Sequence, residues 1–399
     1  RDGQTPGWRT KLLFWLAIGA ATLVKGPVGP LVALLAMLAV STWDSVEAKA
    51  NRFGWLKLIG WTWGPLIVVA ICGPWAWAIT VASDGAFWGA AIGGDLAPKL
   101  AGGHERHGGL FGYHLLISPM LLFPATLLLP AGLVLAWKAR AEPGVRFALC
   151  WLIPTWLMFE LLPTKLAHYT LPAHGALFWL MAAALRQPLG RASRIAGVVT
   201  LGFASLVFAA VCIAGLSQYG DDSDLTWAAI TAGLFFATAL TGGVLIFRRA
   251  AGTALAAAGL FGVLAHAAFF GQLAPRLEPL WISQRVAMAL DRTGLAPRAG
   301  VAPGPVEVAG YAEPSLVFAL GTNTGLGGAP EAAKAIAEGR PAVVERRERA
   351  AFLAALKAAG LSPRPAGTIS GVDYSNGDDM TLTLYRGEPQ PAPAPRAVR

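Results

Sequence analysis

Three short polar motifs carry cations whose types and settings suit the binding of a phosphate. Lys25 lies in residues 25–30 (Lys-Gly-Pro-Val-Gly-Pro), between two apolar runs, where a cation is costly unless it reaches water or meets an anion. Arg106 lies in residues 102–109 (Gly-Gly-His-Glu-Arg-His-Gly-Gly), and its planar guanidinium matches phosphate oxygens. Lys165 lies in residues 163–172 (Pro-Thr-Lys-Leu-Ala-His-Tyr-Thr-Leu-Pro). Preorganised cations of this kind stabilise the charge that develops on a departing phosphate.

Other residues near these motifs leave alternatives open. His104 and His107 could bind a divalent metal, although a His-x-x-His pair in a loop is a weak signal beside hydrogen bonding or solvation. No cofactor is predicted with certainty. Glu160 is an intramembrane carboxylate and needs a partner, and Lys165 is the expected one. In that case Lys165 would have a structural role rather than a ligand-binding one.

The elements that position these motifs are predicted to be membrane-spanning helices. The chain is 55% hydrophobic and 14% charged, with a mean hydropathy of +0.53, whereas soluble domains carry about 25% charged residues. A span needs about 20 apolar residues. Nine candidates follow in order: 12–24 (short), 27–43, 58–80, 110–137, 146–162, 169–185, 195–216, 226–247 and 253–274. The sequence therefore predicts an α-helical polytopic membrane protein.

The distribution of cations predicts the orientation of these spans. The net charge of +9 could indicate a nucleic-acid partner, but fourteen Lys and Arg fall in one alternating set of connections and four in the other. Because cytoplasmic loops are enriched in Lys and Arg, we expect the richer set to be cytoplasmic. The other set contains Lys25, Lys99, Arg106 and Lys165, which places the candidate site on the outer face. No nucleic-acid partner is predicted.

After residue 274 the composition becomes that of a soluble domain. Strands are predicted at 306–309, 342–345 and 380–385, and helices at 314–320, 331–338 and 348–359. The glycine-rich segment 321–328 follows a helix rather than a strand, so a loop is favoured over a nucleotide site. The predicted organisation is a transmembrane domain at 1–274, a periplasmic α/β domain at 275–386 and a disordered Pro/Ala-rich tail at 387–399.

The motifs, in this order, resemble those of bacterial family 39-like glycosyltransferases, which include relatives of protein O-mannosyltransferases and of the lipid A aminoarabinose transferase. The resemblance is carried by residues 23–29, 104–108 and 164–172, and it extends to 310–318 and 374–377 in the soluble domain. It implies a GT-C-like transmembrane bundle with a small C-terminal extracytoplasmic domain. It also implies a polyprenyl-phosphate-linked sugar donor and a site on the extracytoplasmic face.

The resemblance also implies roles for individual residues. Lys25, Arg106 and Lys165 would bind the donor phosphate, and Glu105, His107, His168 and Tyr169 would line the donor site. Family members carry their catalytic carboxylates in a first large outer loop. Since Arg1 is not Met and the first apolar run is flanked by charges, the chain is predicted to be N-terminally truncated. The general base would then lie in the missing segment, and the fragment alone would be inactive.

The predicted function is that of a bacterial inner-membrane glycosyltransferase. It would transfer a sugar from a polyprenyl phosphate to a lipid A-type, protein or glycan acceptor, with the lipid bilayer as its surroundings. A multi-span transporter or lipid flippase is the alternative, but its polar residues would gather near the membrane midplane and its halves would repeat. A membrane scaffold is a third hypothesis, and it leaves the outer cations unexplained.

Overall fold

The computed structural model describes residues 5–98, 109–248, 250–297 and 303–388. The chain divides into two compact units. The first comprises Arg1–Val211 with Thr231–His266, and the second comprises Cys212–Ile230 with Ala267–Arg399. The predicted domain boundaries at 274 and 386 remain predictions, and most of the predicted tail lies outside the described residues.

Long apolar helices dominate the chain and make it a multi-pass membrane protein, as predicted. Within the described residues, six segments are long and apolar enough to cross a membrane: Val28–Ala48, Gly64–Ala82, Pro143–Leu161, Arg191–Tyr219, Asp222–Phe247 and Ala251–Arg276. A seventh would be the pair Tyr113–Leu121 and Ala125–Lys138, which is bent by 113°.

The structure therefore has fewer clear spans than the nine predicted. The run at 169–185 forms the Leu171–Ala184 helix of 14 residues, about 21 Å long against a hydrocarbon core of about 30 Å. The run at 12–24 forms the Trp8–Lys25 helix, whose 18 residues include three cations. Apolar composition located both helices, but it did not measure how far each extends.

The predicted helical hairpin around Lys25 is confirmed. The Trp8–Lys25 helix ends where Gly26 adopts a positive φ of 56° and donates its N–H to the Thr22 carbonyl, a conformation that glycine adopts without steric cost. The Val28–Ala48 helix begins directly after Pro27. Lys25 thus occupies the last helical position, where its charge interacts favourably with the helix dipole.

Two close contacts hold the first helices together. Trp15 donates its indole N–H to the Ile59 carbonyl at 2.8 Å, and Gly64 lies directly against the Trp15 ring, with no room for a side chain. Gly19 faces Ile71 in the same way. The Trp8–Lys25 helix therefore packs closely on the Gly64–Ala82 helix.

The core of the first unit lies around the bend in the chain. The predicted span at 110–137 is interrupted after Leu121, and the helix resumes as Leu129–Lys138. Leu122, Leu127 and Leu128 at the bend are almost completely buried. They pack with side chains from the Pro143–Leu161 and Leu171–Ala184 helices, so the interior of the unit surrounds the helix that carries Glu160.

The second unit contains a four-stranded sheet, as the predicted α/β domain requires. Its strands are β1 (Glu307–Ala309), β2 (Ala342–Glu345), β3 (Pro365–Asp373) and β4 (Asp378–Tyr385), in the order β1-β2-β4-β3. β1 and β2 are parallel, and the other pairs are antiparallel. Its helices of seven or more residues after the last span are Ile282–Arg292, Pro314–Leu320, Ala329–Ala337 and Arg349–Ala358.

The three predicted strands and three predicted helices of this region are confirmed to within a few residues. β3 and the Ile282–Arg292 helix were not predicted. β3 contains Pro365, Gly367 and Gly371, residues of low strand propensity, and it exists because it pairs along the full length of β4.

The glycine-rich segment 321–328 has a structural role, in agreement with the loop interpretation. Gly325 and Gly327 lie against the Glu307 carboxylate, where added Cβ atoms would fall within 2.8 Å of its oxygens. The Gly327 N–H donates to Glu307 Oε1 at 3.0 Å. These glycines make room for a largely buried carboxylate, which accounts for their spacing without a nucleotide.

Candidate functional site

Two of the predicted motifs meet at an exposed cluster of Lys25, His168 and Tyr169, here called the Lys25 cluster. The Lys25 ammonium lies 5.5 Å from the centroid of the Tyr169 ring. The His168 ring stands edge-on to Tyr169, with ring centroids 5.3 Å apart. Lys25 and His168 are exposed and Tyr169 is partly buried. The cluster therefore presents a cation, a phenol and an imidazole to a ligand arriving from solvent.

The electrostatics of the Lys25 cluster act on His168. The pKa of His168 is lowered from its ordinary value, first because neighbouring protein partly desolvates the ring and second because Lys25 is positively charged. His168 is thus biased towards the neutral imidazole, which can accept or donate one hydrogen bond. The permanent positive charge of the cluster resides on Lys25.

Lys165 belongs to the same link but has a different environment. It is 5% exposed, and its ammonium donates to the carbonyls of Phe159, at 3.2 Å, and of Glu160. Its Nζ also lies 3.6 Å from Glu160 Oε2. These contacts place a cation at the C-terminal end of the Pro143–Leu161 helix, where the dipole favours it. The expected pairing of Glu160 with Lys165 is confirmed.

Glu160 accepts hydrogen bonds from the start of another helix. Its Oε1 accepts from the backbone N–H groups of His114, at 3.0 Å, and Leu115, at 3.3 Å, and its Oε2 accepts from Gly112 at 3.1 Å. The Tyr113–Leu121 helix has no capping side chain at Gly112. A carboxylate 45 to 48 residues away in sequence therefore satisfies donors that every helix start leaves free.

His114 completes this buried group. Its Nε2 lies 3.0 Å from the Leu166 carbonyl, and its Nδ1 lies 3.6 Å from Glu160 Oε2. The ring is fully buried, and within the described part of the chain Nδ1 has no hydrogen-bond partner. We call Glu160, His114 and Lys165 the Glu160 cluster. It joins the start of one helix to the end of another and to the link that carries His168 and Tyr169.

The remaining predicted site residues belong to the segment that precedes Gly109 in the sequence. Arg106, Glu105 and His107 fall outside the described residues, as does His104. The described chain resumes at Gly109, which lies against the Lys165 side chain so closely that an added Cβ would be 2.6 Å from Lys165 Cγ. Among the described residues, no group of three or more His, Cys, Asp or Glu side chains could hold a metal ion.

His114 and Gly112 are functional candidates that the sequence did not single out. A signal was present, because Gly112 precedes a helix without any Ser, Thr, Asp or Asn cap while Glu160 was a carboxylate in need of donors. Pairing this uncapped helix start with a carboxylate that needs hydrogen-bond donors would have linked Gly112 to Glu160. The sequence gave no indication of which of the many helix starts was the partner.

The chain is similar to curated bacterial transferases. It is 30% identical over 212 residues to the undecaprenyl phosphate-alpha-4-amino-4-deoxy-L-arabinose arabinosyl transferase of Pseudomonas paraeruginosa. The matched residues make up 51% of this chain and 37% of that protein. A second relative, from Proteus mirabilis, bears the same name with the number 2 and is 28% identical over 179 residues, or 44% of this chain and 31% of that protein. The match thus spans only about a third of the length of these relatives. No protein-family model matches the chain.

Solved structures share the fold. ArnT from Cupriavidus metallidurans in the apo state has a TM-score of 0.62 at 16% identity, over 98% of this chain and 71% of that one. The same protein bound to undecaprenyl phosphate has a TM-score of 0.65 at 17% identity, over 98% and 72%. The GT-C-like polytopic fold and the resemblance to the aminoarabinose transferase branch are both confirmed.

Proposed function

We propose that the chain supplies the donor-phosphate half of a membrane glycosyltransferase site that uses a polyprenyl-phosphate-linked sugar. The carrying observation is the convergence of Lys25, His168 and Tyr169 in one exposed cluster, although residues 25 and 168 are far apart in sequence. The names of the curated relatives support a donor of the undecaprenyl phosphate class. The acceptor would be of the lipid A type, a protein or a glycan.

The contacts favour Lys25 over Lys165 as the lysine that meets the phosphate. Lys25 is exposed and its ammonium is held only loosely, over an aromatic ring. Lys165 is buried and already bonded to two carbonyls and a carboxylate. To bind a phosphate it would have to break these bonds, which would leave the buried Glu160 carboxylate without its cation. Lys165 would then act by positioning the link.

Arg106 is the second cation proposed for the phosphate. It precedes Gly109 by three residues, so the covalent chain keeps the two Cα atoms within about 11 Å of one another. Gly109 in turn lies on the Lys165 side chain, next to the link that carries His168 and Tyr169. A guanidinium within that reach could share the phosphate with Lys25 through two parallel hydrogen bonds.

The proposed reaction is a single displacement at the anomeric carbon. The bond from that carbon to the phosphate oxygen breaks as the acceptor oxygen bonds to it, the acceptor proton passes to a base, and the configuration inverts. The lipid phosphate leaves with its negative charge stabilised by Lys25 and Arg106. The carboxylate that accepts the proton is proposed to come from outside this chain's described residues.

The site is proposed to lie at the periplasmic surface of a bacterial inner membrane, with the sheet-containing region on the same side. The charge bias of the connections supports this orientation. Cysteine substitutions at Lys25 and Ala167 should react with a membrane-impermeant maleimide added from outside spheroplasts. A substitution at Lys57 should react only after the membrane is permeabilised. Labelling of Lys25 and Ala167 from opposite sides would exclude a common site.

Binding and transfer assays test the proposed function. We expect the purified chain in lipid nanodiscs to bind undecaprenyl phosphate, and Lys25→Ala and Arg106→Ala each to weaken binding by about tenfold, which is about 1.4 kcal/mol. In the full-length protein, Arg106→Ala should abolish sugar transfer while the protein still inserts and folds. Lys57→Ala, which removes another exposed lysine, is the matched control. Unchanged binding in both site variants would reject the assignment.

A further inference from the structure

Glu160 is a buried, charged residue whose contacts join three separate segments of the chain. Its carboxylate is 4% exposed. It holds the backbone N–H groups of Gly112, His114 and Leu115 and lies beside the Lys165 ammonium. A buried carboxylate is costly unless donors surround it. The donors here come from the exit of the 99–108 segment and from the link after the Pro143–Leu161 helix.

We propose that Glu160 is a positioning residue that fixes residues 109–115 against the link that carries His168 and Tyr169. This inference rests on the proposed function, since it assigns a role within the same site. Glu160 contacts residues 112–115 and Lys165. It acts through Gly112 and Leu115 on one side and through Lys165 on the other.

The packing around Gly109 shows how the two sides are coupled. Gly109 precedes the first residue that Glu160 binds by three positions, and it lies directly on the Lys165 stem. Lys165 in turn is held by Glu160 and by the end of the Pro143–Leu161 helix. Glu160 therefore holds both the main chain at residues 112–115 and the Lys165 side chain on which Gly109 lies.

His114 adds a second connection between the same segments. Its main-chain N–H donates to Glu160 Oε1, while its ring Nε2 meets the carbonyl of Leu166, in the link. The Tyr113–Leu121 helix is thus tied to the link both through Glu160 and directly. Glu160→Gln would leave Lys165 buried without its carboxylate, and the introduced amide nitrogen, a donor, would face N–H groups in place of one acceptor oxygen. Both effects would let the distance between residue 109 and the link vary more widely.

A distance measurement tests the positioning role directly. Spin labels would be attached to cysteines at Leu110 and Ala167, both exposed, after Cys72, Cys150 and Cys212 are replaced by alanine. In lipid nanodiscs, we expect double electron–electron resonance to give a narrow distance distribution that Glu160→Gln broadens or shifts. Glu47→Gln is the control. Glu47 pairs with Arg146 at the opposite end of the Pro143–Leu161 helix, so its replacement should leave the distribution unchanged.

Binding separates positioning from a direct role of Lys165. Because displacing part of the site can cost no more than deleting one of its phosphate-binding cations, we expect Glu160→Gln to weaken undecaprenyl phosphate binding by about three- to tenfold. If Lys165 were the phosphate ligand, the same variant would release its ammonium and binding would tighten. Unchanged or tighter binding, or a native distance distribution, overturns the positioning role.

The outcomes remain separable from those of the proposed function. If the unmodified chain does not bind undecaprenyl phosphate, the proposed function fails, whatever Glu160 does to the distance. If Glu160→Gln does not fold, the double variant Glu160→Gln with Lys165→Met removes both buried charges and should restore a stable fold. A broad distance distribution in that variant supports the inference, and a native one contradicts it.

Discussion

The two ends of the Pro143–Leu161 helix each bury a charge, and they use it differently. At the first turn, Arg146 is 8% exposed and reaches the Val28–Ala48 helix, where it bonds to Asp44 at 2.9 Å and to Glu47. It also donates to the Ala141 carbonyl and lies over the Trp43 ring. At the last turn, Glu160 meets mainly backbone N–H groups from a distant helix start.

The difference indicates what each charge fixes. Arg146 links the side chains of two long helices, so it fixes helix packing. Glu160 links the ends of short segments, one of which leads into the Lys25 cluster. A charge at the first end therefore serves stability, whereas a charge at the second end serves the geometry of a site. Each end can be perturbed separately, which makes this contrast testable.

Loss of Arg146 should have the largest effect, and that effect should be limited to the free energy of unfolding. Arg146→Met removes a buried guanidinium from the partly exposed Asp44 and the exposed Glu47, and because solvent screens both carboxylates we expect a loss of about 2 kcal/mol in the free energy of unfolding. Thermal unfolding in detergent micelles measures it. Undecaprenyl phosphate binding below the unfolding temperature should be unchanged.

Arg140→Met is the matched control for this change. Arg140 is exposed and lies over the Trp137 ring, so its loss should change stability by no more than about 0.5 kcal/mol. Weakened phosphate binding in the Arg146 variant would erase the contrast between the two ends.

Replacement of Tyr169 should have a smaller effect, limited to the site. Tyr169→Leu removes the ring that faces Lys25, and a cation–π contact at an exposed site is worth about 0.5–1 kcal/mol. Undecaprenyl phosphate binding, measured by titration in nanodiscs, should weaken about two- to fivefold. Tyr169→Phe keeps the ring and loses only the hydroxyl group, so near-normal binding in that variant would assign the effect to the ring. Equal losses in both variants would assign it to the phenol instead.

The pH response of His168 should be the smallest effect and should sharpen the assignment of Lys25. Because the pKa of His168 in the fold lies below its ordinary value of 6.5, the unfolded chain takes up its proton first as the pH falls. Protonation of His168 therefore lowers the free energy of unfolding below about pH 6.5, and His168 does not lower it above that pH. Lys25→Met should raise the pKa of His168, as measured by NMR titration of its ring. An unchanged pKa would mean that Lys25 and His168 are not neighbours.

The sequence predicted elements better than it predicted their lengths. Apolar runs located the helices at 8–25 and 171–184, but a run of suitable residues does not state whether a helix bends or stops. The chain at 110–137 was predicted as one span and is instead bent by 113°. β3 escaped prediction because its glycines and proline carry little strand signal, and its partner strand supplies the structure.

By itself, the sequence determined that this is a helical membrane protein with cations in three polar motifs, because composition and charge distribution are properties of the chain alone. It also named Lys165 as the partner of Glu160, since a carboxylate within a span needs a nearby donor. Only the tertiary structure decided which cation stays exposed and which helix start Glu160 completes. Burial and hydrogen-bond geometry depend on which distant segments meet, and these features make Lys25 exposed and Lys165 buried.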